Sequence, residues 1–93
     1  MKKRYRSRIQ IFEDILETIK EDNGRTGKTR ILYGANLSHD RLTKYLQKLT
    51  EQDLIKVIKE EGRDTYAITK KGYAFLKELK KIKEFAQAFG IKI

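Results

Sequence analysis

The first apolar positions that repeat at helical spacing lie between residues 8 and 22. They form a single stripe of Ile9, Phe12, Ile15, Leu16 and Ile19. The spacing of three to four residues predicts an amphipathic helix, with Ser7 as its N-cap and Asn23-Gly24 as its end. Glutamates and an aspartate occupy the other face, and because an acidic face repels phosphate, we expect it to point away from any polyanion.

Two shorter apolar stretches follow a polar, basic loop at residues 25–30. Residues 31–36 are predicted as a short helix, and residues 39–52 as a second helix that begins after the N-cap Ser38. The second helix carries an apolar stripe of Leu42, Tyr45, Leu46 and Leu49. Two short helices joined by a tight turn are typical of a helix-turn-helix.

A pair of strands is predicted directly after these helices. Residues 54–59 are rich in β-branched side chains, residues 60–64 form a turn around Gly62, and residues 65–68 alternate as the returning strand. A hairpin in this place is the wing of a winged helix. The predicted fold class is therefore mainly α with a small β-hairpin (α+β), a winged helix-turn-helix.

The last predicted helix runs from about Lys70 to Phe89 behind the N-cap Thr69, and its apolar stripe is wide. The stripe has the alternating spacing of four and three that is typical of a coiled coil: Phe75, Leu79, Ile82, Ala86, Phe89 and Ile93. Phe85 lies beside this seam. Because so small a domain has little surface with which to cover such a helix, we predict pairing with a second copy. The alternative is that the helix folds back over its own domain.

The packing of this seam favours one direction of pairing. In an antiparallel pair centred near Phe85, Leu79 meets the partner's Phe89 and Ile82 meets the partner's Ala86, so that large and small side chains interdigitate. A parallel pair stacks identical residues, which places a wide layer beside a narrow one. The sequence therefore predicts an antiparallel coiled coil.

The chain is strongly basic. Its 93 residues contain 22 Lys and Arg against 13 Asp and Glu, a net charge of +9, and such a chain attracts polyanions, nucleic acid before anionic membrane. Five of the cations lie within residues 1–8, which contain no acid. This segment is interpreted as a disordered tail or as a phosphate-seeking arm, and the two interpretations are compatible.

The sequence lacks the groupings that catalysis or metal binding needs. It has no cysteine, and His39 is its only histidine, so we expect no metal site. Gly27-Lys28-Thr29 resembles the end of a phosphate-binding loop, but Asp22 stands where that motif requires a glycine. No stretch approaches the ~18 apolar residues of a membrane span. We therefore expect no enzyme, no cofactor, no small-molecule substrate and no membrane partner.

Several segments together resemble the archaeal winged-helix chromatin proteins of the Sso-ten-a type. The most specific block runs from Lys28 to Ser38 (KTRILYGANLS), and further matches are Tyr45-Leu46, Leu54-Ile55 and residues 66–72 (YAITKKG). The resemblance covers essentially the whole chain. It implies DNA binding through the helix-turn-helix and wing, by a homodimer joined through an antiparallel coiled coil of its C-terminal helices.

This chain departs from that family at two positions. Gly34 stands where the family often has a basic residue, and Asp53 where it often has glycine before the first wing strand. Because aspartate tolerates the left-handed backbone conformation, the fold is expected to be unaffected at Asp53. Without a charge at Gly34, this helix lacks one DNA contact that the resemblance would otherwise imply.

Double-stranded DNA is the expected partner, with the helix at residues 39–52 in the major groove. Arg41, Lys44 and Lys48 share one face of it; Arg41 is placed to bond a guanine, and the lysines to meet phosphates. The other candidate contacts are Lys28, Thr29, Arg30, Ser38, His39, Arg63, Arg4 and Arg6. Acidic neighbours make the wing around Arg63 nearly neutral, and we expect it to be a weak contact.

These predictions divide the chain into a basic arm (1–8), a winged-helix domain (9–69) and a dimerisation helix (70–93). The predicted dimer interface consists of Phe75, Leu79, Ile82, Phe85, Ala86 and Phe89. We expect a cytoplasmic, nucleoid-associated protein or a transcription regulator. The alternative is a winged-helix module that assembles proteins, and the net charge of +9 argues against it.

Overall fold

A computed structural model describes residues 6–92 of the chain. Its elements, in chain order, are α1 (Arg8–Glu21), β1 (Arg25–Gly27), α2 (Lys28–Gly34), α3 (His39–Glu51), β2 (Ile55–Glu60), β3 (Arg63–Ile68) and α4 (Lys70–Ala88). The strands form one antiparallel sheet in the order β1-β3-β2. This arrangement confirms the predicted winged helix-turn-helix with a long last helix.

The helices begin where the sequence places their N-caps. Ser7, Ser38 and Thr69 each accept a hydrogen bond from the backbone N–H three residues further along. Each thereby satisfies a donor that has no partner inside its helix. After α1, Asn23 and Gly24 have positive φ angles of 63° and 84°, which confirms the predicted end of that helix.

The segment at residues 25–30 differs from the predicted loop. Arg25–Gly27 is a short strand in which Thr26 lies opposite Tyr66, and α2 begins at Lys28 rather than at residue 31. The strand exists because it pairs with β3. Gly27 leads into α2 in an extended conformation without a side-chain cap, so no local signal marks where that helix begins.

The wing is also longer than predicted. Strand β3 begins at Arg63 rather than at Thr65, because the turn is confined to Glu61 and Gly62, whose φ angles are 50° and 76°. Cross-strand pairing sets Lys59 opposite Asp64 and Glu60 opposite Arg63. The two strands therefore place charges of opposite sign across from each other, in agreement with the nearly neutral wing that the sequence predicts.

The core lies between α1, the helix-turn-helix and the sheet. Its largest fully buried side chains are Ile11, Ile15, Leu16, Ile19, Ile31, Leu42, Leu49 and Ile55. Phe12 and Tyr45 pack against this core, with their rings edge to face and 5.8 Å between centroids. This contact fixes the start of α1 against the middle of α3.

Helix α4 contributes Leu76 to the core and then continues beside α1. Near its far end, the ammonium of Lys83 lies 2.7 Å from the carboxylate of Glu13, which is on the acidic face of α1. Lys77 and Lys80 of α4 border the same acidic face. Within residues 6–92, no helix is long and apolar enough to cross a membrane.

Candidate nucleic-acid interface

Helix α3 exposes a polar face to solvent, and leucines on its opposite face pack into the core. Leu42, Leu46 and Leu49 are buried at 4% exposure or less. The exposed residues of the helix are His39, Asp40, Arg41, Thr43, Lys44, Gln47, Lys48 and Glu51. The buried leucines fix the rotation of α3 about its axis, so these side chains keep a defined order around it.

One side of this exposed face is basic. Arg41, Lys44 and Lys48 line a shallow depression together with Arg8 from the start of α1. We call these four residues the cationic flank. Glu51 also borders the depression. Four cations within one depression create a positive potential that attracts phosphates.

Arg8 is a member of this flank that sequence reasoning missed. The sequence groups Arg8 with the arm and also predicts a helix that begins there, and the structure confirms Arg8 as the first residue of α1. The Phe12–Tyr45 contact holds that end of α1 beside α3. A helix prediction alone contains no signal for this placement, because it depends on how α1 crosses α3.

The other side of α3 faces the wing. Thr43 and Gln47 border a groove whose opposite wall is formed by Lys28, Val57 and Tyr66. We call Thr43 the wing-side flank, because Gln47 borders both this groove and the cationic depression. Lys28 donates to the Thr43 hydroxyl at 2.9 Å, so the first residue of α2 is joined directly to α3. The structure thus brings the predicted contact residue Lys28 next to the helix.

The side chain of Arg6 is partly buried, at 25% exposure, and is engaged within its own chain. Its guanidinium donates to the Asp14 carboxylate at 2.7 Å and to the carbonyls of Ala35 and Asn36 at 2.6 and 2.8 Å. These bonds fasten the start of the described chain to the turn before α3. Arg4, the other arm residue predicted to contact DNA, lies outside the described residues.

The remaining predicted contact residues lie in α2, at the start of α3 and in the wing. Thr29 and Arg30 are exposed in the first turn of α2, so the prediction that they precede that helix is wrong. The Ser38 hydroxyl accepts from the Arg41 N–H. His39 is exposed beside Asp40, and Arg63 lies opposite Glu60 in the wing.

The groove between α3 and the wing contains a tyrosine whose pKa is shifted. Burial, assisted by the charge of Asp64, raises the pKa of Tyr66 above its ordinary value of 10.0. Among the described residues, no three His, Asp or Glu side chains lie close enough together to hold a metal ion. The surface cations of this face can attract an anion by their charge.

The predicted dimer interface divides into two groups. Leu79 and Ala86 are only 5% and 7% exposed within a single chain, and Phe75 packs against the core. Ile82, Phe85 and Phe89 remain 53%, 68% and 68% exposed. We call these three the exposed α4 stripe; the rings of Phe85 and Phe89 lie 5.0 Å apart.

A model of the winged helix-turn-helix family matches residues 5–87. The chain belongs to this winged-helix family. An uncharacterized protein of Methanocaldococcus jannaschii is 41% identical over 74 residues, which are 80% of this chain and 73% of that protein.

Two solved structures are similar to this winged-helix chain. Sso10a-2, a DNA-binding protein from Sulfolobus solfataricus, superposes with a TM-score of 0.80 at 26% identity, covering 90% of this chain and 85% of that one. F93 from STIV, a winged-helix DNA-binding protein, gives 0.71 at 18% identity, covering 84% and 90%. The family resemblance stated from the sequence is confirmed.

Proposed function

We propose that this winged-helix chain binds double-stranded DNA as a homodimer, with α3 in the major groove. The observation that carries the proposal is the cationic flank, in which Arg8, Arg41, Lys44 and Lys48 meet on one side of an exposed helix. An α-helix fits the width of the major groove. Phosphates border that groove, so a cationic side of the helix is attracted to one of its edges.

The cations have different roles in this proposal. Arg41 lies in the first turn of α3, where base edges are usually reached, and its planar guanidinium can bond a guanine at two atoms. Arg8, Lys44 and Lys48 contact phosphates and set the position of the helix. Lys28, Thr29 and Arg30 extend the phosphate contacts along α2. The similarity to Sso10a-2, described as a DNA-binding protein, supports this assignment.

A second copy of the chain covers the exposed α4 stripe in this proposal. The stripe is exposed to solvent in the single chain, and Glu78 precedes it and Lys92 follows it in the sequence. In an antiparallel pair centred near Phe85, each Glu78 reaches the partner's Lys92. Leu79 and Ala86 are already covered by their own chain, so the pair rests on Ile82, Phe85 and Phe89.

The acid at the start of α3 favours some preference among DNA sequences. The side chain of Asp40 is fully exposed there. An acid stabilises the N-terminus of a helix but repels phosphate, which is unfavourable in a protein that binds every sequence equally. Both a transcription regulator and a nucleoid-associated protein with sequence preference fit this feature, and both act on DNA in the cytoplasm.

A salt titration tests the proposal. The full chain is titrated against a fluorescent random-sequence duplex at several salt concentrations. We expect the logarithm of affinity to fall linearly with the logarithm of salt, with a slope of about −0.9 for each phosphate contacted. Lys44→Ala should weaken binding and reduce the slope. Lys20→Ala removes the same charge from α1, beside Glu17, and should leave both unchanged.

Two competitors test whether binding is selective for double-stranded DNA. Single-stranded DNA and anionic vesicles should displace the duplex only at much higher concentrations. If the duplex does not bind at physiological salt, or if Lys44→Ala and Lys20→Ala behave alike, the proposal is wrong. The winged helix would then be a module that assembles proteins, and pull-down with purified partner proteins would follow.

A further inference from the structure

We propose that Thr43 is a specificity-determining residue that recognises thymine through its methyl group. The inference deepens the proposed DNA binding and rests on it. Thr43 occupies the wing-side flank of α3, opposite the cationic flank, and its side chain is exposed.

The hydroxyl of Thr43 is already engaged inside the protein. It donates its proton to the His39 carbonyl at 3.0 Å and accepts a hydrogen bond from the Lys28 ammonium at 2.9 Å. A hydroxyl has one proton, so Thr43 cannot also donate to a base acceptor while this bond is intact. Lys28 also occupies one of the two lone pairs of this hydroxyl, whereas the methyl takes part in neither bond and is the group that Thr43 offers to an apolar ligand.

The surroundings of Thr43 favour an apolar contact. Leu46, Val57 and Tyr66 form the apolar part of this groove, beside the polar side chains of Gln47, Thr50 and Glu51. The cations of α3 line the depression on the other side of the helix. In the major groove, the apolar feature that distinguishes one base from the others is the C5 methyl of thymine, and threonine methyls commonly contact it.

Lys28 stabilises this arrangement. Its ammonium has three protons, of which one is directed to the Thr43 hydroxyl. The other two are available for a phosphate on the same side of the groove. A phosphate held there would fix the distance between the sugar–phosphate backbone and Thr43, so the methyl would meet one defined base position in each half-site.

The test removes the C5 methyl of thymine and the methyl of Thr43 in separate experiments. A preferred duplex is first selected from a random pool with the full chain. Each thymine is then replaced singly by deoxyuridine, which lacks only the C5 methyl. We expect one position per half-site at which wild-type affinity falls about fourfold, the effect of removing one methyl from an apolar contact.

Two variants of Thr43 separate its methyl from its hydroxyl. Thr43→Ser keeps the hydroxyl and should bind the thymine and deoxyuridine duplexes with equal affinity. Thr43→Val keeps the methyl and should preserve the fourfold ratio. Thermal unfolding should show that both variants are folded, since the site is exposed.

The failures of the two proposals are distinguishable. If the wild type binds duplex but no deoxyuridine substitution matters, or if Thr43→Ser keeps the full ratio, the inference about Thr43 is wrong and DNA binding stands. If the wild type binds no duplex, both are overturned.

Discussion

The guanidinium of Arg6 donates to the backbone carbonyl of Asn36 at 2.8 Å, across 30 positions of sequence. Asn36 has a left-handed φ of 52° and lies in the turn between α2 and α3. The same guanidinium bonds the carbonyl of Ala35 and the carboxylate of Asp14. A residue that composition assigns to a DNA-seeking arm thus holds the turn of the helix-turn-helix against α1.

Because these hydrogen bonds join distant parts of the chain, we expect Arg6 to stabilise the folded state. We expect Arg6→Ala to lower the free energy of unfolding by about 1–3 kcal/mol, because it leaves a carboxylate and two carbonyls without their charged donor. Arg6→Lys should recover little, since an ammonium lacks the planar fork that reaches several acceptors. Urea unfolding followed by circular dichroism measures both.

Arg8→Ala is the matched control, because it removes the same charge two residues away. Arg8 belongs to the exposed cationic flank, so its loss should weaken DNA binding and reduce the salt slope while leaving stability within ~0.5 kcal/mol. Equal effects of the two substitutions on stability and on DNA binding would contradict these assignments.

The glycine that departs from the family pattern has a packing reason. A Cβ at Gly34 would lie 2.5 Å from the Thr18 methyl, so the glycine allows α2 to approach α1 closely. We expect Gly34→Ala to destabilise the fold by about 1–3 kcal/mol from overpacking, partly offset by the better helix propensity of alanine.

A double-mutant cycle checks this explanation. In a Thr18→Ala background, which removes the obstructing methyl, Gly34→Ala should cost measurably less than in the wild type. Urea unfolding of the four proteins gives the coupling. Additive effects would mean that the contact between these two positions does not require glycine.

The proposed dimer is held by the exposed α4 stripe, so a single charge placed in that stripe should disrupt it. Ile82→Asp places a carboxylate in the proposed apolar interface, and because a buried charge without a partner is costly, we expect monomers. Sedimentation velocity measures the change. Lys70→Asp places the same carboxylate in the exposed first turn of α4, where the N-terminus of a helix favours an acid, and should remain dimeric. If Ile82→Asp still sediments as a dimer, the interface lies elsewhere.

Stability should decline at alkaline pH through Tyr66. Burial, assisted by the charge of Asp64, raises the pKa of this phenol above 10.0 in the folded state. The unfolded chain therefore loses the proton first, so the free energy of unfolding is unaffected below pH ~10 and falls as pH rises further. Tyr66→Phe should make the fall shallower, as measured by urea unfolding between pH 7 and 11.

A slope in Tyr66→Phe equal to that of the wild type would show that Tyr66 does not contribute to the pH dependence.

The elements predicted well are those whose signals are local. The stripe from Ile15 to Ile19 predicts a helix by its spacing, and the hydroxyls of Ser7, Ser38 and Thr69 mark helix starts because capping depends on the next three residues. The hairpin follows from β-branched runs around Gly62. In each case the residues that determine the structure lie within a few positions of one another.

The elements predicted poorly depend on distant partners. Strand β1 is defined by its pairing with β3, some forty residues later, and its Arg-Thr-Gly sequence has no strand pattern. Leu79 and Ala86 fit the heptad spacing of an intermolecular seam, yet both are buried within a single chain. Spacing identifies an apolar face but does not identify which surface covers it.

By itself, the sequence determined the winged-helix order of elements, the buried stripe of α3 and the basic character of its outer face, because periodicity, capping and charge act along the chain. Only the tertiary structure decided that Arg8 joins Arg41 on one flank, that Arg6 is fastened to the turn, and that Lys28 engages the hydroxyl of Thr43. Those relationships depend on how helices cross, and crossing is set by the packing of side chains from several elements at once.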